Sequence, residues 1–311
     1  MLIEVNSNTY HEHFPADPHQ FISRPFIELN SGKAERIVRL IDDSGKAVIG
    51  LVAGINNGEL QSPFSAPFGG FHFLKENIYI SEIDRFLAYL QEYVASQELK
   101  GVEIILPPDI YHSTFNAKTI SSLIRRGFQL KTPEITNWVN LLQFKGAFSQ
   151  KNSREYYRQA IRNGLFFDQI TETKQKMEAY DLICQNRAKF DRHIFMTFKD
   201  IENTSTLWPV DFFKVSTNDN RIAASAIFYR NHSDICYAVF WGDNEEGRLL
   251  RAMDFLLLNL WNYYKNMGFK YVDLGISTEE GHPNEGLLRF KESHEAESSL
   301  RYKFFWKVQI Q

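Results

Sequence analysis

The stretch Gly268–Lys291, GFKYVDLGISTEEGHPNEGLLRFK, decides how the rest of the chain reads. Gly268 closes a long apolar helix predicted over Leu249–Asn266. Phe269, Tyr271 and Leu274 then mark an extended segment that stops at Gly275, and a polar loop leads to a short helix. In that helix Leu287, Leu288 and Phe290 are spaced to bury one side. It brings Arg289 and Lys291 beside a loop holding Asp273, Glu279, His282 and Glu285. Two cations therefore arrive at a strand end, where ligands of α/β folds tend to bind.

Working outward, the order of elements around this stretch occurs twice. The first half alternates through ERIVRLI and KAVIGLVAGI about a turn at Asp42–Gly45, a hairpin pattern. GELQSPFSAPFGGF (Gly58–Phe71) follows as a third strand or extended loop. A helix has Ile83, Phe86, Leu87, Leu90, Tyr93 and Val94 on its buried face and Ser81 placed to cap it. VEIILPP is a buried strand, Ala117–Arg126 a helix, and Gln129–Phe144 extended chain.

The second half repeats that order with a hairpin about Asn218–Asn220, the strand DICYAVFWGD, the helix Leu249–Asn266, KYVDLG, the helix ending at Lys291, and SLRYKFFWKV. A repeat of this length indicates duplicated domains rather than a solenoid, whose units span about 20 to 50 residues. The predicted division is 1–145 and 146–311, at the polar stretch GAFSQKN. The helices Ser153–Asn163 and Lys174–Arg187 open the second copy.

The size suits this division, since 311 residues accommodate two domains of about 150 residues each. Apolar residues make up 43% and charged residues 23%, the composition of a globular chain. A net charge of -3 gives no global field for nucleic acid or an anionic membrane. No apolar run approaches the roughly 20 residues of a membrane span, and the N-terminal segment has no signal-like core, so the expected location is the cytoplasm. Cys184 and Cys236 are too few for a disulfide framework or a zinc site. His11, Glu12, His13 and His19 match no metal-ligand spacing, so no metal is expected.

Strand pair, strand, loop, long helix, strand, helix, strand is the element order of the GNAT N-acyltransferase fold. Two copies in tandem resemble the Fem family of peptidoglycan aminoacyltransferases and related acyltransferases of polysaccharide biosynthesis. SREYYRQAIRNG (Ser153–Gly164) is similar to the Arg-rich helix that opens the family's second domain. GFKYVDLG is similar to its strand ending in Asp-x-Gly, and GLLRFK (Gly286–Lys291) to its Gly-hydrophobic-x-x-Phe-Lys. The resemblance implies an α/β (α+β) fold of two tandem GNAT-like domains, with mixed sheets flanked by helices. It also implies transfer of an acyl or aminoacyl group onto an amine of a cell-envelope precursor. The implied co-substrate is acyl-CoA or aminoacyl-tRNA, with no tightly bound cofactor; the chain's charge does not itself indicate tRNA.

Acyl transfer needs an amine in line with the acyl carbon, stabilisation of a developing oxyanion and a route for the amine's proton. The resemblance makes Lys291 the charge stabiliser, although an amphipathic helix without such a role would simply leave it exposed. Asp273 either orients or deprotonates the amine, or caps the following loop, and His282 is a fallback base. Arg158 and Arg162, four apart on one helix, suit a diphosphate of the acceptor or a solvated face equally. Phe290, Tyr237 and Trp241 are candidate substrate-lining side chains. The fold's phosphate loop would fall between Trp241 and Ala252, making Gly242, Gly247 and Arg248 the positions for a donor pyrophosphate. Their spacing is irregular, and Asp243, Glu245 and Glu246 oppose such a ligand. An acyl-CoA-dependent enzyme acting on a small amine or sugar, and an inactive binding protein, remain alternatives.

Overall fold

The computed structural model describes residues 1–43, 47–192 and 194–308, so Ser44 and Gly45 of the first predicted turn lie outside the described residues. The chain forms two compact units. One comprises Met1–Ile135, Glu280–His282 and Ser299–Gln311, the other Thr136–Glu279 and Pro283–Ser298. This division differs from the predicted contiguous halves, and the strands explain why.

The chain begins with β1 (Leu2–Glu4), α1 (Ser7–His13) and α2 (Arg24–Leu29). The hairpin β2 (Arg36–Asp42) and β3 (Ile49–Asn56) follows, then β4 (Glu59–Ser62) and β5 (Phe71–Phe73). Next come α3 (Ile80–Ser96), β6 (Gly101–Ile105), α4 (Asp109–Arg125), β7 (Gln129–Leu130) and β8 (Glu134–Asn140). The apolar face predicted for α3 is its buried face. Its cap is not Ser81 but Tyr79, two residues earlier, and the Glu82 carboxylate accepts the Tyr79 N–H at 3.2 Å. The Gly69 and Gly70 amides bond to Ile105 O and Ser62 Oγ, the bonding of a rigid turn.

The second unit contains α5 (Lys151–Arg162), β9 (Phe166–Ile170), α6 (Thr173–Ala188) and α7 (Phe198–Thr204). The hairpin β10 (Val210–Ser216) and β11 (Ile222–Tyr229) leads to β12 (Ile235–Asp243). The helix predicted over 249–266 is broken into α8 (Glu245–Leu250) and α9 (Ala252–Asn266) by Arg251, whose φ is 64°. Then come β13 (Tyr271–Ile276), the small hairpin β14 (Thr278–Glu279) and β15 (His282–Pro283), α10 (Glu285–Ser293), β16 (Ala296–Arg301) and β17 (Lys303–Lys307).

The first sheet runs β1-β2-β3-β4-β6-β17-β7, with β5 also on β3, and the second β16-β8-β13-β12-β11-β10-β9. Each has three antiparallel pairs leading to one parallel pair, β4 with β6 and β12 with β13, so the predicted duplication is present in the pairing itself. The closing strands are exchanged relative to the sequence reading. β8 pairs with β13 and β17 with β6, so a strand from each half of the sequence completes the other half's sheet. Alternation of apolar residues shows that β8 and β17 are strands but not which edge each joins.

Each sheet has its own core. Val38, Leu51, Leu87, Leu90, Ile104 and Phe304 belong to the first, and Val139, Phe213, Cys236, Leu260, Trp261 and Val272 to the second. Among the described residues no helix is long and apolar enough to cross a membrane.

Candidate functional site

The parallel pair β12 and β13 is joined at three positions only: Ile235 to Tyr271, Cys236 to Val272 and Tyr237 to Asp273. β12 continues to Asp243 with β11 as its one strand partner among the described residues, so beyond Tyr237 and Asp273 the two strands part. A break in register between Ile227 and Phe228 inserts a bulge in β12 at this point. Unpaired backbone on a parting edge must find a partner, and at this fork the partner on the β13 side is a side chain.

That side chain is Lys291, which is 1% exposed. Its Nζ donates to the carbonyls of Leu274, Gly275 and Ile276, each at 2.9 Å. Successive carbonyls in a strand point to opposite sides, so three can converge on one ammonium only where the chain bends. Gly275 supplies the bend, with φ at +65°, a conformation open chiefly to glycine. Its N–H is held at 2.8 Å by Asp273 Oδ1, so Asp273 caps the same turn from the other side. Burial pushes the Lys291 ammonium down to about 7; the Asp273 carboxylate opposes this and Arg187 adds to it.

Alternation places Cys236 and Val272 in the core under α9, and hence Tyr237 and Asp273 on the opposite face, with Trp138 beside Asp273 on β8. The tip of Tyr237 reaches Gly275: a Cβ there would lie 3.6 Å from Tyr237 Oη. α6 covers this face, anchored by Ser225 Oγ on Ala179 O at 2.7 Å and by Asn186 Nδ2 on Asp243 O at 2.7 Å. The next residue, Arg187, is half-buried and interacts electrostatically with Tyr237 and Lys291. Its guanidinium makes no ion pair or hydrogen bond among the described residues, and burial, then Arg192, lower its proton affinity. The indole N–H of Trp138 is likewise buried with no acceptor among the described residues. An open cavity of about 450 Å³ adjoins the end of α6, lined by Cys184, Ala188, Asp191, Arg192 and Ile194.

No protein-family model matches the chain, and no curated protein does. Solved structures do. The crystal structure of FemX is similar over 99% of this chain and 97% of that one, with 12% identity and a TM-score of 0.69. The C-terminal domain of a putative lysylphosphatidylglycerol synthetase from Agrobacterium fabrum covers 97% of this chain, with 93% of its own length matched, at 11% identity and a TM-score of 0.61. A tandem GNAT protein from the clavulanic acid biosynthesis pathway matches over 100% of this chain and 99% of its own, with 8% identity and a TM-score of 0.60. The chain has the tandem GNAT fold.

In this tandem GNAT fold the fork gathers three of the residues singled out by sequence: Lys291, Asp273 and Tyr237. Lys291 is not the exposed end of an amphipathic helix, and its three protons are all committed to carbonyls. Trp241 is not on the Tyr237 face. In a regular strand residues four apart share a face, but the bulge turns Trp241 into the core under α9 while Gly242 packs on Asn186. Phe290 turns to His294, with ring centres 4.3 Å apart.

His282 is exposed on β15 and belongs with the other compact unit. Arg158 and Arg162 are exposed and share Glu155, at 3.6 and 2.9 Å, on a helix that packs on α9, in the layer opposite α6. Of the expected pyrophosphate residues, Gly247 lies against Ala223 O, its N–H bonded at 2.8 Å to the Asn244 side chain. Arg248 pairs with Asp243 at 3.5 Å and lies over Phe190. Arg187 and Trp138 carry no signal in the sequence. Arg187 lies near the end of a helix with no clear apolar period, and Trp138 resembles any strand aromatic, so only the lack of partners among the described residues distinguishes them.

Proposed function

We propose that this protein is an aminoacyltransferase that acylates an amine of a cell-envelope precursor at the fork between β12 and β13. The observation that carries this reading is the parting of the two strands directly beside a buried, carbonyl-bound Lys291. The free edge of β12 beyond Tyr237 offers backbone donors and acceptors to an extended acyl donor, as in strand addition. The likeness to FemX supports an aminoacyl donor, in line with the Fem-like motifs GFKYVDLG and GLLRFK.

In the reaction the acceptor nitrogen attacks the acyl carbonyl carbon, a C–N bond forms, and the bond to the donor's leaving oxygen breaks. The attacking amine's proton leaves through a neighbouring base, for which Asp273 is the carboxylate at the fork. Lys291 acts through its field: seated on three carbonyls it fixes the strand end and, below its lowered titration near 7, holds a positive charge in a dry site close to the developing oxyanion. Tyr237, whose Oη lies over Gly275, is the aromatic side chain that lines the fork beside Asp273 in this reading. Arg187 and the Trp138 indole are donors with no acceptor among the described residues, which suits a phosphate or carboxylate on one substrate.

An aminoacyl donor is preferred to acyl-CoA because of α8. Its first turn carries Glu245 and Glu246, and the Gly247 amide is already used by Asn244, so a pyrophosphate would meet carboxylates instead of free N–H groups. The test is a transfer assay pairing charged tRNAs and acyl-CoAs with amine-bearing envelope precursors. Transfer from an aminoacyl donor supports the reading. Transfer only from acyl-CoA, or tight binding of a precursor with no transfer from any donor, overturns it.

A further inference from the structure

Lys291 lies in the last turn of a nine-residue helix, α10, too short to hold its own position in water. What fixes this turn is a buried polar assembly with no part in the chemistry above. His294, 3% exposed, places Nε2 3.0 Å from Asp254 Oδ1 on α9, and Asp254 is itself 6% exposed. Its Nδ1 lies 2.6 Å from Phe290 O and 3.0 Å from Ser293 Oγ. Ser293 Oγ donates to that same Phe290 carbonyl at 2.8 Å, so its lone pairs face the imidazole.

Both ring nitrogens therefore face acceptors. The backbone closes the assembly, with His294 N on Lys291 O at 2.9 Å and Trp261 Nε1 of α9 on His294 O at 3.0 Å. Phe148 meets the imidazole edge-on at 4.9 Å.

We propose that His294 and Asp254 are positioning residues for Lys291: their buried contact sets the height of the last turn of α10 along α9, and so the reach of the ammonium to the carbonyls of Leu274, Gly275 and Ile276. Removing the contact lets the turn slide without unfolding either sheet, and the ammonium loses its three-carbonyl seat. The catalytic part of this inference rests on the proposed role of Lys291 at the fork, whereas the structural part does not.

The experiment observes the ammonium itself. In protein labelled with ¹⁵N-lysine, Lys291 is expected to give a side-chain resonance protected from solvent exchange, assigned by its disappearance in Lys291→Met. His294→Gln and Asp254→Asn are compared at unchanged circular dichroism. Asp254→Asn removes the carboxylate charge that Nε2 faces and keeps the side chain's volume, so it weakens the contact with little repacking and stands in should His294→Gln fail to fold. The expected result is loss of protection, with exchange at least about tenfold faster, and in the transfer assay a fall in kcat of about tenfold with KM within twofold. A Lys291 resonance as protected in the variants as in the parent overturns the proposal. Lost protection in a protein that transfers no donor leaves the positioning role standing and removes the proposed reaction instead.

Discussion

Lys291 Nζ donates to Gly275 O at 2.9 Å, so the cation at the end of α10 and the bend at the end of β13 hold each other in place. Neither has a stable arrangement alone. Without the bend the three carbonyls would diverge, and without the ammonium they would be buried with no donor. Lys291→Met is therefore expected to destabilise the second unit by about 3 kcal/mol or more, since each stranded buried carbonyl costs roughly 1 kcal/mol at the least. Urea unfolding of parent and variant measures the difference, and an unchanged midpoint would contradict the structural role.

The same burial makes this contribution depend on pH. The folded-state value of about 7 lies below the ordinary lysine value of 10.5, so between them the unfolded chain binds the extra proton. Stability then rises with pH across that window, with a limiting slope of about 1.4 kcal/mol per pH unit. The parent, compared with Lys291→Met, is expected to gain relative stability from pH 7 to pH 9. Unfolding curves at several pH values check this, and a gap that stays flat or narrows would contradict it.

Gly275→Ala isolates the bend. There is room for the methyl group, with Tyr237 Oη at an ordinary contact distance of 3.6 Å, so the cost comes from the positive φ. That cost is about 1 to 2 kcal/mol. A fall in transfer activity larger than the loss of stability explains is expected as the carbonyls leave Lys291, and a melting curve beside a kinetic assay separates the two effects.

The two arginine groups should behave oppositely. Arg187→Ala breaks no ion pair or hydrogen bond among the described residues. It should leave the unfolding midpoint nearly unchanged while raising KM for the anionic substrate roughly tenfold. Arg158→Ala and Arg162→Ala remove exposed partners of Glu155, so changes within about 0.5 kcal/mol in stability and little change in KM are expected. Steady-state kinetics on the three variants decide which helix meets the substrate.

Much of the architecture was legible in the residue pattern because it rests on local signals. The helical spacing of Ile83 to Val94, the turn at Asn218–Asn220 and the strand carrying Asp273 and Gly275 each appear where expected. What escaped depends on partners distant in sequence. The exchange of β8 and β17 between sheets leaves alternation unchanged, and the bulge that separates Tyr237 from Trp241 shows no local mark. The site was half legible for the same reason. Lys291 and Asp273 stand out beside a glycine at a strand end, but Arg187 and His294 matter only through what they face across the fold. Arg158 and Arg162 attracted notice as a stripe of charge, and a solvated helix face produces the same stripe.

Amide hydrogen exchange along β12, measured with and without charged donors, tests the central claim most directly. If the fork receives the acyl donor, the aminoacyl donor that supports transfer should slow exchange at those amides of Val239–Trp241 that point away from β11 and leave the segment Ile235–Tyr237, paired with β13, unchanged. Slowing elsewhere in the chain with no change at Val239–Trp241 would contradict the placement of the reaction between β12 and β13.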